Sequence, residues 1–178
     1  MPVRILFVCY ENICCSPMAE GAFGHAASLH GAGGFFEVES AGTVCYQSGS
    51  SPDHRAVRSA ERHGIDISSI RAQCIDDLDL GRFDRIFAMD AENHRDMLDA
   101  LDGLPVPVHM MTDFAHSDAG AEIEDPYYGS EEGFGRTMEQ LLRSATGIVS
   151  ALREAYELPI GELQAGAIFH HTGNGDGR

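Results

Sequence analysis

The chain has 178 residues, 43% of them hydrophobic, so it is long enough for one domain with a substantial core and too short for two. It carries 28 acidic against 12 basic residues, a formal net charge of -16, and all twelve basic residues are arginine. This acidity argues against nucleic acid and anionic membrane surfaces as partners, because phosphate contacts need a positive face. It favours a solvated surface that keeps the protein soluble.

The N-terminus and the cysteines indicate a cellular compartment. The first apolar run behind Arg4 is too short for a secretory signal, and no stretch approaches the roughly 18 apolar residues of a membrane span. The five cysteines are an odd number, and three of them lie close together in residues 9–15, which favours a reducing compartment and thiol chemistry over a disulfide scaffold. We therefore expect a cytoplasmic protein in which Cys45 and Cys74 are spare thiols.

The first half of the chain alternates predicted strands and helices. Residues 3–9 form a continuous apolar run with β-branched members, which is typical of a buried strand. Ser16 and Pro17 then predict a helix start, because serine is a preferred N-cap and proline is tolerated at the first helical position. We predict this helix up to about residue 31, a strand over residues 35–40, a loop over residues 41–51, and a helix over residues 51–63 that ends at Gly64.

The second half continues the alternation, with strands over residues 83–89 and 106–111, a helix over residues 91–101, and a long helix over residues 131–158 with one apolar stripe. Alternating strands and helices predict an α/β fold with a parallel sheet and helices on both faces, because parallel neighbours need crossover connections. Ligands bind such sheets beyond the carboxyl ends of the strands. The loop after the first strand is therefore the first candidate site.

The C-terminal segment differs in composition from the rest. Residues 161–178 are rich in glycine and lack periodicity, so we expect one domain over residues 1–158 and a flexible tail over residues 159–178. His170 and His171 are more simply explained as part of this tail than as metal ligands, and we expect no metal site.

The loop after the first strand lies in the sequence "VCYENICCSPMAE", residues 8–20. A cysteine at a strand end, followed by a helix start, predicts backbone N–H groups that converge on one point at a helix N-terminus and attract anions. We expect the positive electrostatic field of these N–H groups to lower the pKa of Cys9 and to hold it as the thiolate, which is the nucleophilic form. The alternative, from the loop alone, is an inert buried cysteine.

This stretch resembles the signature of the low-molecular-weight protein tyrosine phosphatases, which usually reads Cys, a variable residue, Gly, Asn, Ile, Cys, Arg, Ser, Pro, Met, Ala, Glu. Further motifs follow in the order found in that family, and the resemblance covers about residues 3–157. They are "SAGT" at residues 40–43, "PDHRA" at 52–56, "HGID" at 63–66, "AMDAEN" at 88–93 and "DPYYG" at 125–129.

The resemblance implies a four-stranded parallel sheet and a mechanism without metal or organic cofactor. Cys9 would be the nucleophile that forms a thiophosphoryl intermediate, and Asp125 the general acid that protonates the leaving phenolate and later assists water. This division is chemically sound, because attack and proton donation come from separate groups. Pro126 biases Asp125 toward an extended backbone that presents its side chain over the pocket.

Other roles follow from the resemblance by position. Asn12 would have a left-handed backbone, which asparagine tolerates. Ser16 and Ser40 would support the loop by hydrogen bonds, and the Ser16 hydroxyl would also stabilise the thiolate. Tyr46 would form one wall of the pocket, opposite Tyr127 and Tyr128. The remaining loop residues expected at the substrate site are Tyr10, Glu11, Ile13, Cys14 and Cys15.

Two residues depart from the signature. Cys15 stands where the family has arginine, whose guanidinium clamps two phosphate oxygens and strengthens its hold in the transition state. Its loss is expected to cost on the order of 10³ to 10⁵ in rate, about 4 to 7 kcal/mol. Glu11 stands where the family has glycine, and its carboxylate would repel a dianion if it faced the pocket. Glutamate would also be strained if that position needed a positive φ.

These departures leave several functions open. The first is a phosphatase-like protein whose hydrolysis of phosphomonoesters is weak or lost. The alternatives are a pseudophosphatase that binds a partner through the same cleft, and a thiol redox element in which Cys9 pairs with Cys14 or Cys15. A further alternative is an enzyme whose site acts on a substrate other than a phosphate dianion. The substrate would be a phosphoprotein or a small molecule, which the sequence does not identify.

Overall fold

The computed structural model describes residues 1–159, and the fold is a four-stranded parallel sheet with helices on both faces. The strands follow the spatial order β2-β1-β3-β4, and every neighbouring pair is parallel. The α/β fold predicted from the alternation is therefore confirmed. The strands are β1 Val3–Cys9, β2 Phe36–Gly42, β3 Arg85–Ala88 and β4 Val108–Met110, and the helices are α1 Cys15–Leu29, α2 His54–Glu61, α3 Ala91–Leu101 and α4 Glu131–Ala155.

The core has two parts, one on each face of the sheet. Side chains alternate between the faces along a strand, so Phe7 of β1 packs on one side and Leu6 on the other. The larger part joins β1 to α1, α2 and α4, and the smaller part packs α3 against the opposite face. The apolar stripe of α4 lies in the larger part, where Phe134 is fully buried.

The start of α1 differs from the prediction. The helix begins at Cys15, and its N-cap position is Cys14, which makes no side-chain cap hydrogen bond. Ser16 does not act as the cap, because its hydroxyl lies 2.9 Å from the Cys9 sulfur and accepts a hydrogen bond from the Asn12 side chain. The predicted cap residue is therefore part of the candidate site.

The prediction that Cys45 and Cys74 are spare thiols is wrong, because the structure joins them in a disulfide across a Cα–Cα distance of 4.9 Å. The two residues meet because Cys74 forms a bridge with Gly42 at the end of β2, three residues before Cys45. The contact is tertiary, so cysteine spacing alone could not reveal it. Cys9, Cys14 and Cys15 are free and buried.

Two further observations bear on the sequence predictions. No helix within residues 1–159 is long and apolar enough to cross a membrane. His170, His171 and nearly all of the predicted tail lie outside the described residues, so the tail remains a prediction.

Candidate functional site

The candidate site is a cleft of about 170 Å³ at the carboxyl ends of β1 and β3. Three segments form it: the signature loop (residues 9–16), the start of α3, and the loop that leads into α4. This is the edge at which parallel sheets bind ligands. The residues that line the cleft are Cys9, Tyr10, Glu11, Ile13, Cys14, Cys15, Met89, Asp90, Asn93, Ile123, Asp125, Tyr127 and Tyr128.

Cys9 is the last residue of β1 and lies at the floor of the cleft, with 8% of its surface exposed. Its sulfur is 2.9 Å from the Ser16 hydroxyl oxygen and accepts a hydrogen bond from the Asn12 backbone N–H at 3.3 Å. Both groups can donate to a thiolate, so the loop offers two hydrogen bonds to negative charge on this sulfur.

A buried network around Asn12 holds the loop in shape. Asn12 has a φ of 60°, the left-handed conformation that the resemblance implied, and its side chain is completely buried. Its amide group donates to the hydroxyls of Ser16 at 2.8 Å and Ser40 at 2.9 Å, while its oxygen accepts from the Gln73 N–H at 2.9 Å. Ser40 in turn donates to the buried Glu20 carboxylate at 2.6 Å. One amide therefore ties together the loop, β2 and the segment after α2.

The electrostatics of Cys9 differ from the prediction of a lowered pKa. Burial raises the pKa of Cys9, the hydrogen bonds from Ser16 and Asn12 lower it only in part, and the Asp125 charge raises it further. The pKa values of Cys14 and Cys15 are raised as well, and burial is the main cause for both. The prediction failed because it counted the favourable field of the loop and not the desolvation of the sulfur.

Charge in the cleft is of one sign. Glu11, Asp90 and Asp125 line it, and among the described residues that line it none is arginine or histidine. Asp90 caps α3 by accepting from the Asn93 N–H at 2.7 Å, and Asp125 accepts from the Tyr127 N–H at 3.0 Å. The cleft therefore combines a buried thiol with carboxylates.

Glu11 and Cys15 take different places in this cleft. Glu11 is half-buried, and it is absent from the residues with positive φ in the described chain, so the loop does not strain it in the way considered for that position. Cys15 is 4% exposed, and its sulfur lies 4.0 Å from the carbonyl oxygen of Glu124, next to Asp125. Cys15 thus fills space between the signature loop and the Asp125 loop.

A family profile described as "Low molecular weight phosphotyrosine protein phosphatase" matches residues 4–158. The chain belongs to this family. A putative low molecular weight protein-tyrosine-phosphatase of Synechocystis is 36% identical over 147 residues, which cover 82% of this chain and 92% of the relative. The low molecular weight phosphotyrosine protein phosphatase of Schizosaccharomyces pombe is 34% identical and covers 79% of this chain and 90% of its own length.

Solved structures of phosphatases agree with this family assignment. A protein tyrosine phosphatase from Entamoeba histolytica, crystallised with Hepes in its active site, superposes with a TM-score of 0.81 at 32% identity. The match covers 86% of this chain and 99% of the other. The expected four-stranded low-molecular-weight phosphatase fold is therefore confirmed.

The tyrosines of this phosphatase-family chain lie at the mouth of the cleft. Tyr127 and Tyr128 line it and contact each other edge to face, with ring centroids 5.0 Å apart. Tyr46 is not a lining residue and is 76% exposed, but its ring meets that of Tyr10 at 6.4 Å. It therefore lies behind Tyr10, which forms this side of the mouth.

The Arg55 guanidinium comes close to the Asp125 loop from outside the cleft, on the side of α2. Arg55 forms hydrogen bonds with both carboxylate oxygens of Asp53, and it donates to the Gly129 carbonyl at 3.3 Å. It also lies over the rings of Phe134 and Tyr127, at 4.6 and 5.6 Å from their centroids. With these contacts, Arg55 is a structural link between α2 and the start of α4.

Sequence reasoning missed several residues of the site. Met89, Asp90 and Asn93 line the cleft, and Gln73 and Glu20 support the loop. The position of "AMDAEN" directly after a predicted strand was a usable signal, because all parallel strands end at the same edge. Gln73 gave no such signal, since its contact with Asn12 is made by its backbone N–H and belongs to no sequence motif.

In residues 1–159 the only cluster with metal-ligand spacing is Cys45, Cys74 and Asp76. Both of its sulfurs are committed to the disulfide, so the cluster offers no thiolate to an ion in this form.

Proposed function

We propose that this chain retains the nucleophile and general acid of a tyrosine phosphatase, Cys9 and Asp125, but hydrolyses phosphate monoesters weakly or not at all. The observation that carries the proposal is the charge of the cleft: Glu11 and Asp90 line it beside the proposed acid Asp125, and among the described residues no cation lines it. A phosphate dianion would meet like charge where a guanidinium normally neutralises it.

Cys9 and Asp125 provide the two chemical groups, a thiolate and a carboxyl group, that the two steps of the reaction need. The Cys9 thiolate attacks phosphorus, the bond from phosphorus to the leaving oxygen breaks, and the carboxylic acid of Asp125 gives its proton to that oxygen. Water then attacks the thiophosphoryl group, Asp125 takes a proton from the water, and the sulfur–phosphorus bond breaks to release phosphate. Ser16 and Asn12 lie within reach of the sulfur in both steps.

The absent arginine affects both steps. A guanidinium at position 15 would hold two phosphate oxygens and stabilise the charge of the transition state, and a thiol does neither. It would also favour the Cys9 thiolate, whose formation burial now opposes because it raises the pKa of that thiol. The backbone N–H groups of the loop and of the start of α1 can still donate hydrogen bonds to an anion, so we expect the cleft to bind anions weakly.

A pseudophosphatase that binds a partner through this cleft is the second candidate. The intact network around Asn12 supports it, because the loop keeps its shape without the arginine. A thiol redox role for Cys9, Cys14 and Cys15 has less support, because burial raises the pKa of all three and the thiolate is the form that oxidants attack.

The test compares hydrolysis of phosphotyrosine by the natural protein, by Cys15→Arg and by the Glu11→Gly/Cys15→Arg double variant. We expect Cys15→Arg to be faster than the natural protein by about 10³ or more in kcat/KM, as for other arginines that stabilise phosphoryl transfer. The double variant is expected to be faster still, because one repelling carboxylate is removed. Natural protein that is already as fast as the arginine variants would overturn the proposal.

Two controls make the result specific. Leu29→Arg adds the same charge at the exposed far end of α1 and should leave the rate unchanged. Cys9→Ser in the Cys15→Arg background should abolish turnover, which excludes a contaminating phosphatase. The binding candidate is tested separately with the natural chain and Cys9→Ser. A phosphotyrosine peptide that both bind equally, in preference to its unphosphorylated form, would favour a binding module.

A further inference from the structure

A second sulfur site lies beside the signature loop, at the Cys45–Cys74 disulfide. Cys45 is exposed, while Cys74 is completely buried. A thiol from solution can therefore approach the disulfide from the Cys45 side and not from the Cys74 side. The Asp76 carboxylate oxygen lies 3.7 Å from the Cys45 sulfur, so an approaching thiolate meets a negative charge there.

On the Cys45 side, the chain is hydrogen-bonded to the signature loop. The N–H of Thr43 donates to the Cys9 carbonyl at 2.9 Å, and the N–H of Val44 donates to the Tyr10 carbonyl at 3.1 Å. The next residue after Cys45 is Tyr46, whose ring contacts Tyr10. Cys45 thus lies between the backbone ladder, formed by the hydrogen bonds of Thr43 and Val44 to the signature loop, and the Tyr10–Tyr46 side of the cleft mouth.

On the Cys74 side, the preceding residue Gln73 supports the same loop. Its N–H donates to the Asn12 side-chain oxygen at 2.9 Å, and its carbonyl accepts from the Gly42 N–H at 2.8 Å. Its side-chain amide also donates to the Ser40 carbonyl at 3.0 Å. The disulfide therefore joins two segments that each hold the signature loop.

We propose that Cys45–Cys74 is a reversible redox modification site that controls the order of the Tyr10–Tyr46 side of the cleft. In this reaction a thiolate of a dithiol reductant attacks the exposed Cys45 sulfur, and Cys74 leaves and takes up a proton. The second thiol of the reductant then attacks the mixed disulfide, Cys45 is released as a thiol, and the reductant becomes a disulfide. Two electrons and two protons pass to the protein.

The segment that depends most on this bond is the turn formed by residues 45–48. Beyond the turn, backbone hydrogen bonds join the chain to Ala72. The Gly49 N–H donates to the Ala72 carbonyl at 2.7 Å, and the Ala72 N–H donates to the Ser50 carbonyl at 2.9 Å. Within the turn, Cys45, Tyr46 and Ser48 are exposed. Backbone hydrogen bonds from the Ser48 N–H to the Cys45 carbonyl at 3.2 Å and from the Ser50 N–H to the Gln47 carbonyl at 2.8 Å close the turn on itself. Because these bonds do not join the turn to the signature loop, cutting the disulfide frees Tyr46 while the backbone ladder at Thr43 and Val44 remains.

The first part of the test establishes the state of the bond. Protein purified in air without reductant is denatured, treated with iodoacetamide and mapped by mass spectrometry. We expect Cys9, Cys14 and Cys15 to be alkylated and Cys45 and Cys74 to be linked, with both becoming alkylated after graded dithiothreitol. Alkylation of Cys45 and Cys74 before any reductant is added would overturn the proposal.

The second part measures order by hydrogen–deuterium exchange of the native protein. We expect reduction to raise exchange of the peptide that covers residues 45–48 by about tenfold, with a smaller rise at Tyr10 and no change in α4. Cys45→Ser, an exposed substitution, should show the reduced pattern with or without dithiothreitol, whereas Cys14→Ser should respond as the natural protein does. If reduction leaves exchange of residues 45–48 unchanged, the bond does not control the turn and the proposal fails.

The rate of reduction gives an independent check that does not need the cysteine variants. Asp76→Asn removes the carboxylate beside the attacked sulfur, so reduction by an anionic thiol should be faster by about threefold to tenfold. An unchanged rate would contradict attack at Cys45. None of these measurements depends on phosphatase activity, so their outcome is separate from the function proposed above.

Discussion

The signature loop has a buried side and a side that faces the cleft, and the two differ in chemistry. On the buried side, Asn12, Ser16 and Ser40 form a network in which each polar group has a partner from another part of the chain. On the cleft side, the loop presents Glu11 and Cys15, and burial leaves the Cys9 thiol with a raised pKa.

The shape of the pocket and its charge therefore have separate origins. Asn12 has a left-handed backbone, and its side chain makes three hydrogen bonds. None of these hydrogen bonds involves the side chain of Glu11 or Cys15. A change at position 11 or 15 can therefore alter what the pocket attracts without altering how the loop folds. Substitutions on the buried side and on the cleft side of the loop test this separation.

The largest effect is expected from the proposed general acid. In the Cys15→Arg background, Asp125→Asn should lower hydrolysis of phosphotyrosine by about 10² to 10⁴, because the amide cannot protonate the leaving phenolate. Steady-state kcat measures this loss. With 4-nitrophenyl phosphate, whose leaving group needs no proton, the loss should be much smaller. Equal losses with both substrates would mean that Asp125 has a role other than proton donation.

Asn12→Ala tests the buried side. Removal of the amide leaves the Gln73 N–H without its acceptor, takes one donor from each of the Ser40 and Ser16 hydroxyls, and places alanine at a φ of 60°. We therefore expect the free energy of unfolding to fall by about 3 to 5 kcal/mol. Urea denaturation gives this value. Asn12→Gly removes the same hydrogen bonds but tolerates the backbone, and should be less destabilising by about 1 kcal/mol. Equal effects would show that the conformation carries no cost.

The raised thiol pKa values predict that stability falls at alkaline pH. The folded protein keeps the protons of Cys9, Cys14 and Cys15 at a pH at which the unfolded chain has released them. The thiol contribution to stability is therefore fully present below the ordinary thiol pKa of about 8.5 and is lost as pH rises above it, by at most about 1.4 kcal/mol per pH unit for each thiol.

Urea denaturation at a series of pH values from about 7 to about 10 measures this slope across the ordinary thiol pKa. The Cys14→Ala/Cys15→Ala variant should show a shallower fall, because two of the three buried thiols are removed. A slope that is the same in both proteins would assign the alkaline loss to other groups.

The smallest effect is expected for Cys15→Ala. The substitution removes one buried sulfur atom, whose contact with the Glu124 carbonyl is long at 4.0 Å, so the free energy of unfolding should fall by only about 1 kcal/mol. This value is to be compared with that of Asn12→Ala under the same conditions. A loss as large as that of Asn12→Ala would show that the cleft side also determines the fold of the loop.

The parts of the fold with strong local patterns were predictable from sequence. The apolar run of β1 and the stripe of α4 gave the correct element types, and the ordered motifs gave the family. The start of α1 was not predictable from capping preference, because a tertiary hydrogen bond to Cys9 occupies the Ser16 hydroxyl. The Cys45–Cys74 bond was not predictable either, since it depends on the approach of residue 74 to the end of β2.

The candidate site shows the same limit. The sequence named most residues that line the cleft, because the motifs that resemble the phosphatase family include them; an Asp-Pro pair alone would indicate only a turn. The pKa of Cys9 was predicted in the wrong direction, because burial is a property of the whole fold. Glu20 is part of the signature motif, but its hydrogen bond with Ser40 of β2 is a tertiary contact that the motif does not reveal. Gln73 supports the loop from a distant part of the chain, so no local pattern identifies it.

The Asn12 amide has a consequence for how such pockets diverge. Because one carboxamide anchors the turn from below, the residues above it are free to mutate without unfolding the scaffold. We therefore expect a substitution at position 15 to change which ligands the pocket binds while the scaffold stays folded.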